Sequence, residues 1–391
     1  MGIFSKPKKK EELVLVFDVG SSSVGGALFF ARESGIPKII FSIREKIVPE
    51  NELNSERLLS QTVKSLEMVA SKISKASLGV PKKTFCVLSS PWYASQTRTI
   101  KIEKNNPFIF TQKLADSLIK KEINLFKREH GIDNEHSNGK NRPIELKNIK
   151  TVLDGETESD PLNKKIKKLE MNIFISMSPE DVLKKIEHAI GKYFYFGNIK
   201  FSSFALASFT VSRDVFMHHE DFLLMDIGGE ITDISIVTEN ILCDSISFPL
   251  GRNFLVREAS NLFNCSLDDA KTLVSLYKDK HMEKSIEKKF GPIMNDLKSK
   301  WLEKFQESLS VLFDDTFFPS TIFLTSDQDI SAFFSEMIKN TMALQSSSGR
   351  SKFNVISLNT KELHGIVLFR ENVTRDPFII IESVYINRFF V

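Results

Sequence analysis

Two stretches far apart in the chain carry one pattern: an apolar run, Asp-x-Gly, a few small residues, then a second apolar run. Phe222 to Val237 reads FLLMDIGGEITDISIV, and Leu13 to Phe30 reads LVLVFDVGSSSVGGALFF. Bounded apolar runs around such a break read as two strands joined by a tight hairpin. Glycine there allows positive φ and close approach of the backbone to a ligand. Asp18 and Asp226, at the mouths of the turns, are suited to hold a hydrated Mg²⁺. Gly20, Ser21, Ser22 and Ser23 on one side, and Gly228, Gly229 and Thr232 on the other, can offer N–H and hydroxyl groups to phosphate oxygens. Either hairpin alone is as readily a plain Asp-Gly turn with nothing bound. The repetition favours two half-sites facing one nucleotide.

This pair resembles the phosphate-one and phosphate-two motifs of the actin-like ATPase superfamily. The resemblance implies an α/β fold of two ribonuclease-H-like (actin-like) domains around a nucleotide cleft, with ATP and Mg²⁺ as cofactors.

A chain of 391 residues can form two or more domains with substantial cores. Its net charge of +3 is too small to argue for or against nucleic acid; no nucleic-acid partner is expected. The cysteines Cys86, Cys243 and Cys265 show neither metal spacing nor a disulfide framework, which points to a reducing cytoplasm. The histidines form no spaced ligand set, and no apolar run or leader suggests a bilayer span or secretion. A peripheral position at the cytoplasmic face of the inner membrane is the other option, because Lys6 and Lys8 to Lys10 make a basic cluster in the tail. A solvated terminus is the favoured reading of residues 1–12.

Strand, helix and strand signals over Ile39–Val48, Asn54–Lys75 and Thr84–Leu88 complete a β-β-β-α-β opening, so 13–90 and 198–219 read as the first actin-like domain. Residues 91–197 read as an inserted α+β unit, with a loop over His130–Asn141. Residues 220–340 read as the second domain with its helical subdomain; Pro292 is expected to open one helix, and Ser326 to cap another. Residues 341–391 read as a strand-rich tail, with a Ser-rich loop at Gln345–Lys352, because β-branched residues dominate PFIIIESVYINRFFV.

The inserted unit resembles the small subdomain of the FtsA/PilM family, proteins of bacterial division and of type IV pilus machinery. Leu-Asp-Gly followed by Asp-Pro at 153–161, Ala205 to Ser208, and PLGRN at Pro249 to Asn253 carry the resemblance. The LDG–DP piece leans to FtsA, while the basic tail with DVGSSSV leans to PilM. FtsA relatives often end in an amphipathic membrane helix; the apolar C-terminus here reads as sheet-forming instead. The balance goes to an FtsA-like division protein. It would self-assemble, contact a tubulin-like division protein, and bind ATP with little turnover. A PilM-like pilus scaffold, with or without nucleotide, is the alternative, and a small-molecule kinase comes last.

The adenosine half departs from the family pattern. Thr325, Ser326 and Asp327 stand where glycines are expected, and Gly251 is followed by Arg252. The ribose helix reads Asp269-Ala270-Lys271, without its acid, and Glu230 adds negative charge at the second turn. Phe204 to Thr210 supplies no water-orienting Gln or Glu, so no catalytic residue is assigned and at most a weak ATPase is expected. Gly251, Thr325 and Ser326 remain the expected contacts to the nucleoside.

Overall fold

Leu13 to Val19 is apolar at every position except Asp18, so this strand needs cover on both faces. The computed structural model, which describes residues 11–33, 35–129, 140–195, 197–312, 319–341 and 352–389, supplies it. The chain begins with β1 (Glu11–Val19), β2 (Ser23–Arg32), β3 (Lys38–Lys46), α1 (Ser55–Lys75) and β4 (Lys83–Leu88). The inserted unit contributes β5 (Ala94–Ile109), α2 (Gln112–Glu129), β6 (Asn141–Leu153), β7 (Glu156–Thr157), β8 (Lys165–Pro179) and α3 (Glu180–Gly191). β9 (Ile199–Ser203) and α4 (Phe204–Val215) then return to the first sheet. The second half runs β10 (Phe222–Ile227), β11 (Thr232–Thr238), β12 (Ile241–Phe248), α5 (Arg252–Phe263), α6 (Leu267–Lys278), α7 (Lys284–Leu312), β13 (Thr321–Ser326) and α8 (Gln328–Lys339). The chain closes with β14 (Asn354–Ser357), β15 (Leu368–Phe369) and α9 (Pro377–Phe389).

The two large sheets repeat one topology. The first has order β15-β3-β2-β1-β4-β9 and the second β12-β11-β10-β13-β14. In each, an Asp-bearing strand (β1 or β10) pairs antiparallel with its hairpin partner and parallel with a later strand. The inserted unit is a separate sheet of order β5-β8-β6-β7, with α2 over the face that carries Ile100, Leu169, Met171 and Ile173. One core lies between the first sheet and α1 with α3. Another joins the opposite face of that sheet to α4, α9 and the facing residues Phe222, Leu224 and Phe323 of the second sheet. The hairpin tips meet at the edge of this shared core.

Several expectations change. The C-terminal segment is not a strand-rich unit: β14 joins the second sheet, β15 joins the first, and PFIIIESVYINRF is the helix α9. The β-branched residues there sit in helical geometry because α9 is enclosed by α4, β1 and β2, and burial outweighs intrinsic preference. A start signal was present in Asp376-Pro377: Asp376 Oδ1 accepts the N–H groups of Phe378 (3.0 Å) and Ile379 (3.3 Å), with Pro next to it at the first turn. Pro292 lies inside α7 and does not open it. The lost hydrogen bond is tolerated because Phe290, Met294, Leu297 and Trp301 form one continuous buried face. Asp327, not Ser326, is the residue before α8, and its side chain makes no cap bond. Glu11 and Glu12 belong to β1 and not to a tail. The basic tail at 1–10, the loop at 130–139 and the Ser-rich stretch at 345–351 lie outside the described residues.

Candidate functional site

The first hairpin closes with Gly20 N–H donating to Ser23 O (3.1 Å), while Trp92 Nε1–H donates to Gly20 O (3.0 Å). The second closes with Gly228 N–H donating to Ile231 O (2.9 Å). Gly20, Gly228 and Gly229 do not adopt left-handed φ, contrary to the expectation. What glycine supplies here is clearance. A Cβ on Gly229 would stand 2.5 Å from Ser21 O, and one on Gly251 would stand 2.4 Å from Gly229 O.

The two tips therefore touch, as the sequence pairing predicts, but they touch directly. Ser21 Oγ accepts the N–H groups of Gly229 (3.0 Å) and Glu230 (3.2 Å). These are the donors that the sequence suggests for phosphate. Gly228 O and Gly229 O accept Arg252 N–H (3.0 Å) and Asn253 N–H (2.8 Å), Gly251 N–H donates to Glu230 O (3.0 Å), and Thr232 Oγ1–H donates to Leu250 O (2.8 Å). Ser22 O accepts Ile47 N–H (2.8 Å).

Asp18 is buried, and Arg44 Nη2 donates to its Oδ2 at 2.7 Å. The same guanidinium donates to Ser23 Oγ (2.9 Å) and forks onto Asp376 Oδ2 (2.6 Å) and Oδ1 (3.1 Å). Burial lowers the Arg44 pKa, but the carboxylates of Asp376 and Asp18 outweigh it, and the guanidinium is held well above its ordinary value. Glu382 of α9 faces Asp18. Burial first, and then the Asp18 charge, push its pKa well up, and neither of its carboxyl oxygens has a hydrogen-bond partner among the described residues. Burial also raises Asp18 against the pull of Arg44. Among the described residues Asp226 Oδ1 has no hydrogen-bond partner, and burial with the charges of Asp233 and Asp18 pushes its carboxyl well above the usual range. Asp18 and Asp226 thus sit within reach of each other's field, as the paired pattern implies.

Thr325 and Ser326 end β13, buried beside Asp226 and Ile227. Beyond them Arg252 Nη1 donates to Asp327 Oδ2 (2.5 Å) and Asp329 Oδ1 (3.0 Å). Glu230, whose charge stood out in the sequence, is buried, accepts a hydrogen bond from Asn253 Nδ2 (2.8 Å) and is neutralised by the Arg257 guanidinium (Nη1, 3.0 Å).

As placed, these residues do not fit Mg²⁺–ATP. The phosphate donors are engaged by Ser21, Asp18 Oδ2 by Arg44, and the strand end by the Arg252–Asp327 pair, while Asp18 Oδ1 and Asp226 Oδ1 have no hydrogen-bond partner among the described residues. Among the described residues no group of three or more His, Cys, Asp or Glu could hold a metal ion. Sequence reasoning missed Arg44, Asp376 and Glu382. The signal for the last was a lone acid inside the apolar run PFIIIESVYI.

A second feature lies between the inserted unit and the first sheet. β9 is the outer strand of that sheet, and β6 pairs with β8 on one side but with β7 only at Val152 and Leu153 on the other. Between β6 and β9 runs a cavity of about 440 Å³, lined by Arg142 to Lys147, Asn198 to Phe201 and Tyr385. Glu145 is buried there and accepts Ser203 N–H (3.1 Å), Ser203 Oγ–H (2.7 Å) and the Tyr385 hydroxyl. Burial raises its pKa against those donors.

No family model matches the sequence, and no curated protein does. Solved structures do. PilM in a structure described as the PilM–PilN type IV pilus biogenesis complex superposes with a TM-score of 0.60 at 12% identity, over 96% of this chain and 97% of that one. The ethanolamine utilization protein EutJ from Carboxydothermus hydrogenoformans gives 0.42 at 10% identity, over 99% and 92%. A Bacteroides thetaiotaomicron protein with an actin-like ATPase fold gives 0.37 at 9%, over 98% and 99%. With its two hairpin-tipped sheets of one topology and its inserted unit, this chain has the actin-like ATPase fold in the form that PilM takes.

Proposed function

We propose that this chain is an assembly scaffold of type IV pilus machinery or a related envelope apparatus, and that it docks an extended segment of a partner in the β6–β9 groove. The observation that carries the reading is the pair of open strand edges that border this groove. Unpaired backbone N–H and C=O groups can take an added strand, and flanking side chains then select its sequence. Arg142, itself paired with Glu180 and Glu187, and Lys147 line the groove. Glu145 ties its floor to the end of β9 through Ser203 and to α9 through Tyr385, so the groove is rigid before anything binds. The likeness to PilM from a PilM–PilN complex supports the pilus setting.

The division reading leaned on Leu153 to Pro161, and that stretch has a local explanation. Asp154 (φ 52°) and Gly155 (φ 95°) make a tight turn. The Asp154 carboxylate accepts Lys167 N–H (2.9 Å) and Lys168 N–H (2.7 Å). Those residue types answer to turn geometry and do not identify a partner.

The test is titration of the full chain with synthetic cytoplasmic segments of inner-membrane pilus proteins and division proteins encoded in the same genome. Calorimetry and hydrogen exchange would be read together. The expected result is binding of a pilus segment with new protection of β6 and β9 amides, lost in Leu146→Asp, a substitution at an exposed position. Binding only to division segments, protection elsewhere, or an unaffected Leu146→Asp variant would overturn the reading.

A further inference from the structure

The cleft holds groups that do a ligand's work, and they come from the chain itself. Between two actin-like lobes a bound anion would satisfy the turn N–H groups, and a cation would neutralise the acidic tips. Here the Ser21 hydroxyl satisfies Gly229 and Glu230, and the Arg44 guanidinium neutralises Asp18. The two turns are in backbone contact here, since a Cβ on Gly229 would stand 2.5 Å from Ser21 O. Two further bridges cross between the lobes: Ser90 Oγ–H donates to Asp233 Oδ1 (2.9 Å), and Lys46 Nζ lies 3.7 Å from Asp329 Oδ2.

We propose that Ser21 forms an internal ligand that keeps the two lobes closed without nucleotide, on a first hairpin whose Asp18 is paired by Arg44 and, through Asp376, by the C-terminal helix. Asp376 both caps α9 and grips Arg44, so the last helix of the chain fixes the counter-ion of the first hairpin. The actin-like cleft has in this way become a joint. Groove docking does not depend on this inference, and the experiment below leaves the groove untouched.

The experiment is hydrogen exchange on the full chain, read over the peptide that contains Gly228 to Glu230 and over α9, with and without millimolar Mg²⁺–ATP, alongside calorimetric titration with Mg²⁺–ATP. Strong protection of both segments without nucleotide, unchanged by its addition, and no saturable heat are expected. Arg44→Met should lose protection at both segments at once, with no recovery on adding Mg²⁺–ATP. Asp376→Asn, a milder change, should lose part of it in the same two places. Rapid exchange of Gly229 that slows only with Mg²⁺–ATP, or saturable nucleotide binding by the unmodified chain, would overturn the inference. So would loss of protection confined to α9 in both variants.

Discussion

Arg44 Nη2 lies 2.7 Å from Asp18 Oδ2, and the other face of the same guanidinium is held by Asp376 at 2.6 Å. One cation thus binds the tip of the first hairpin to the start of the last helix. All three side chains are largely buried, so what matters is whether each charge keeps its partners.

Arg44→Lys should keep the charge and lose the fork. An ammonium cannot serve Ser23, Asp18 and both Asp376 oxygens in one plane. We expect a loss of about 1.5–3 kcal/mol, the scale of hydrogen bonds to charged groups, measured by urea unfolding. An unchanged midpoint would mean that the network adds nothing.

Ser21→Ala strips the acceptor from two buried N–H groups at once. The expected cost is about 1–3 kcal/mol. Ser22→Ala, one residue on, changes a side chain with no hydrogen bond to either hairpin and should stay within about 0.5 kcal/mol. Equal effects at the two serines would contradict the assigned contacts.

Gly229→Ala should be tolerated worst. Its Cβ would meet the backbone of Ser21 and Ser22 at 2.5 to 2.8 Å, which no rotamer change relieves. Overpacking of this kind costs about 1–3 kcal/mol or more. Because the clash is with backbone, Ser21→Gly should not rescue it. Thermal melts of the single and double variants decide the point.

Glu382 makes stability depend on pH, and the sign follows from its raised pKa. Its unfolded form titrates at the ordinary carboxylate value, while the folded form keeps the proton to higher pH because of burial and the neighbouring Asp18, against the opposing pull of Arg44. Between those values the folded chain binds more protons, so stability falls as pH rises through the folded pKa and is complete below the unfolded one. Glu382→Gln removes the titration while keeping a donor. It should match the unmodified chain in mild acid and melt higher than it in mild alkali. A variant that loses stability equally at all pH values would show that the proton is not the reason.

Much of the architecture was legible because it is local. Apolar runs broken by Asp-x-Gly form hairpins wherever they occur, and two of them in one chain already imply a duplicated sheet. The end of the chain was misread because β-branched residues favour strands only when packing does not decide. In α9 the surroundings of α4, β1 and β2 decide, and the Asp376-Pro377 start signal agrees with them.

The sequence by itself determined which residues stand at the hairpin tips, and that Asp18 and Asp226 belong to one region. It also marked Asp327 and Arg252 as out of keeping with a nucleoside pocket, and Glu230 as out of keeping with bound phosphate. Only the tertiary structure decided what fills the space between the tips. Arg44 and Asp376 are separated by most of the chain, and nothing in residue spacing reports that they meet beside Asp18. Burial makes that meeting consequential: away from water each charge must find its partner inside the protein, and the partner can come from anywhere along the chain.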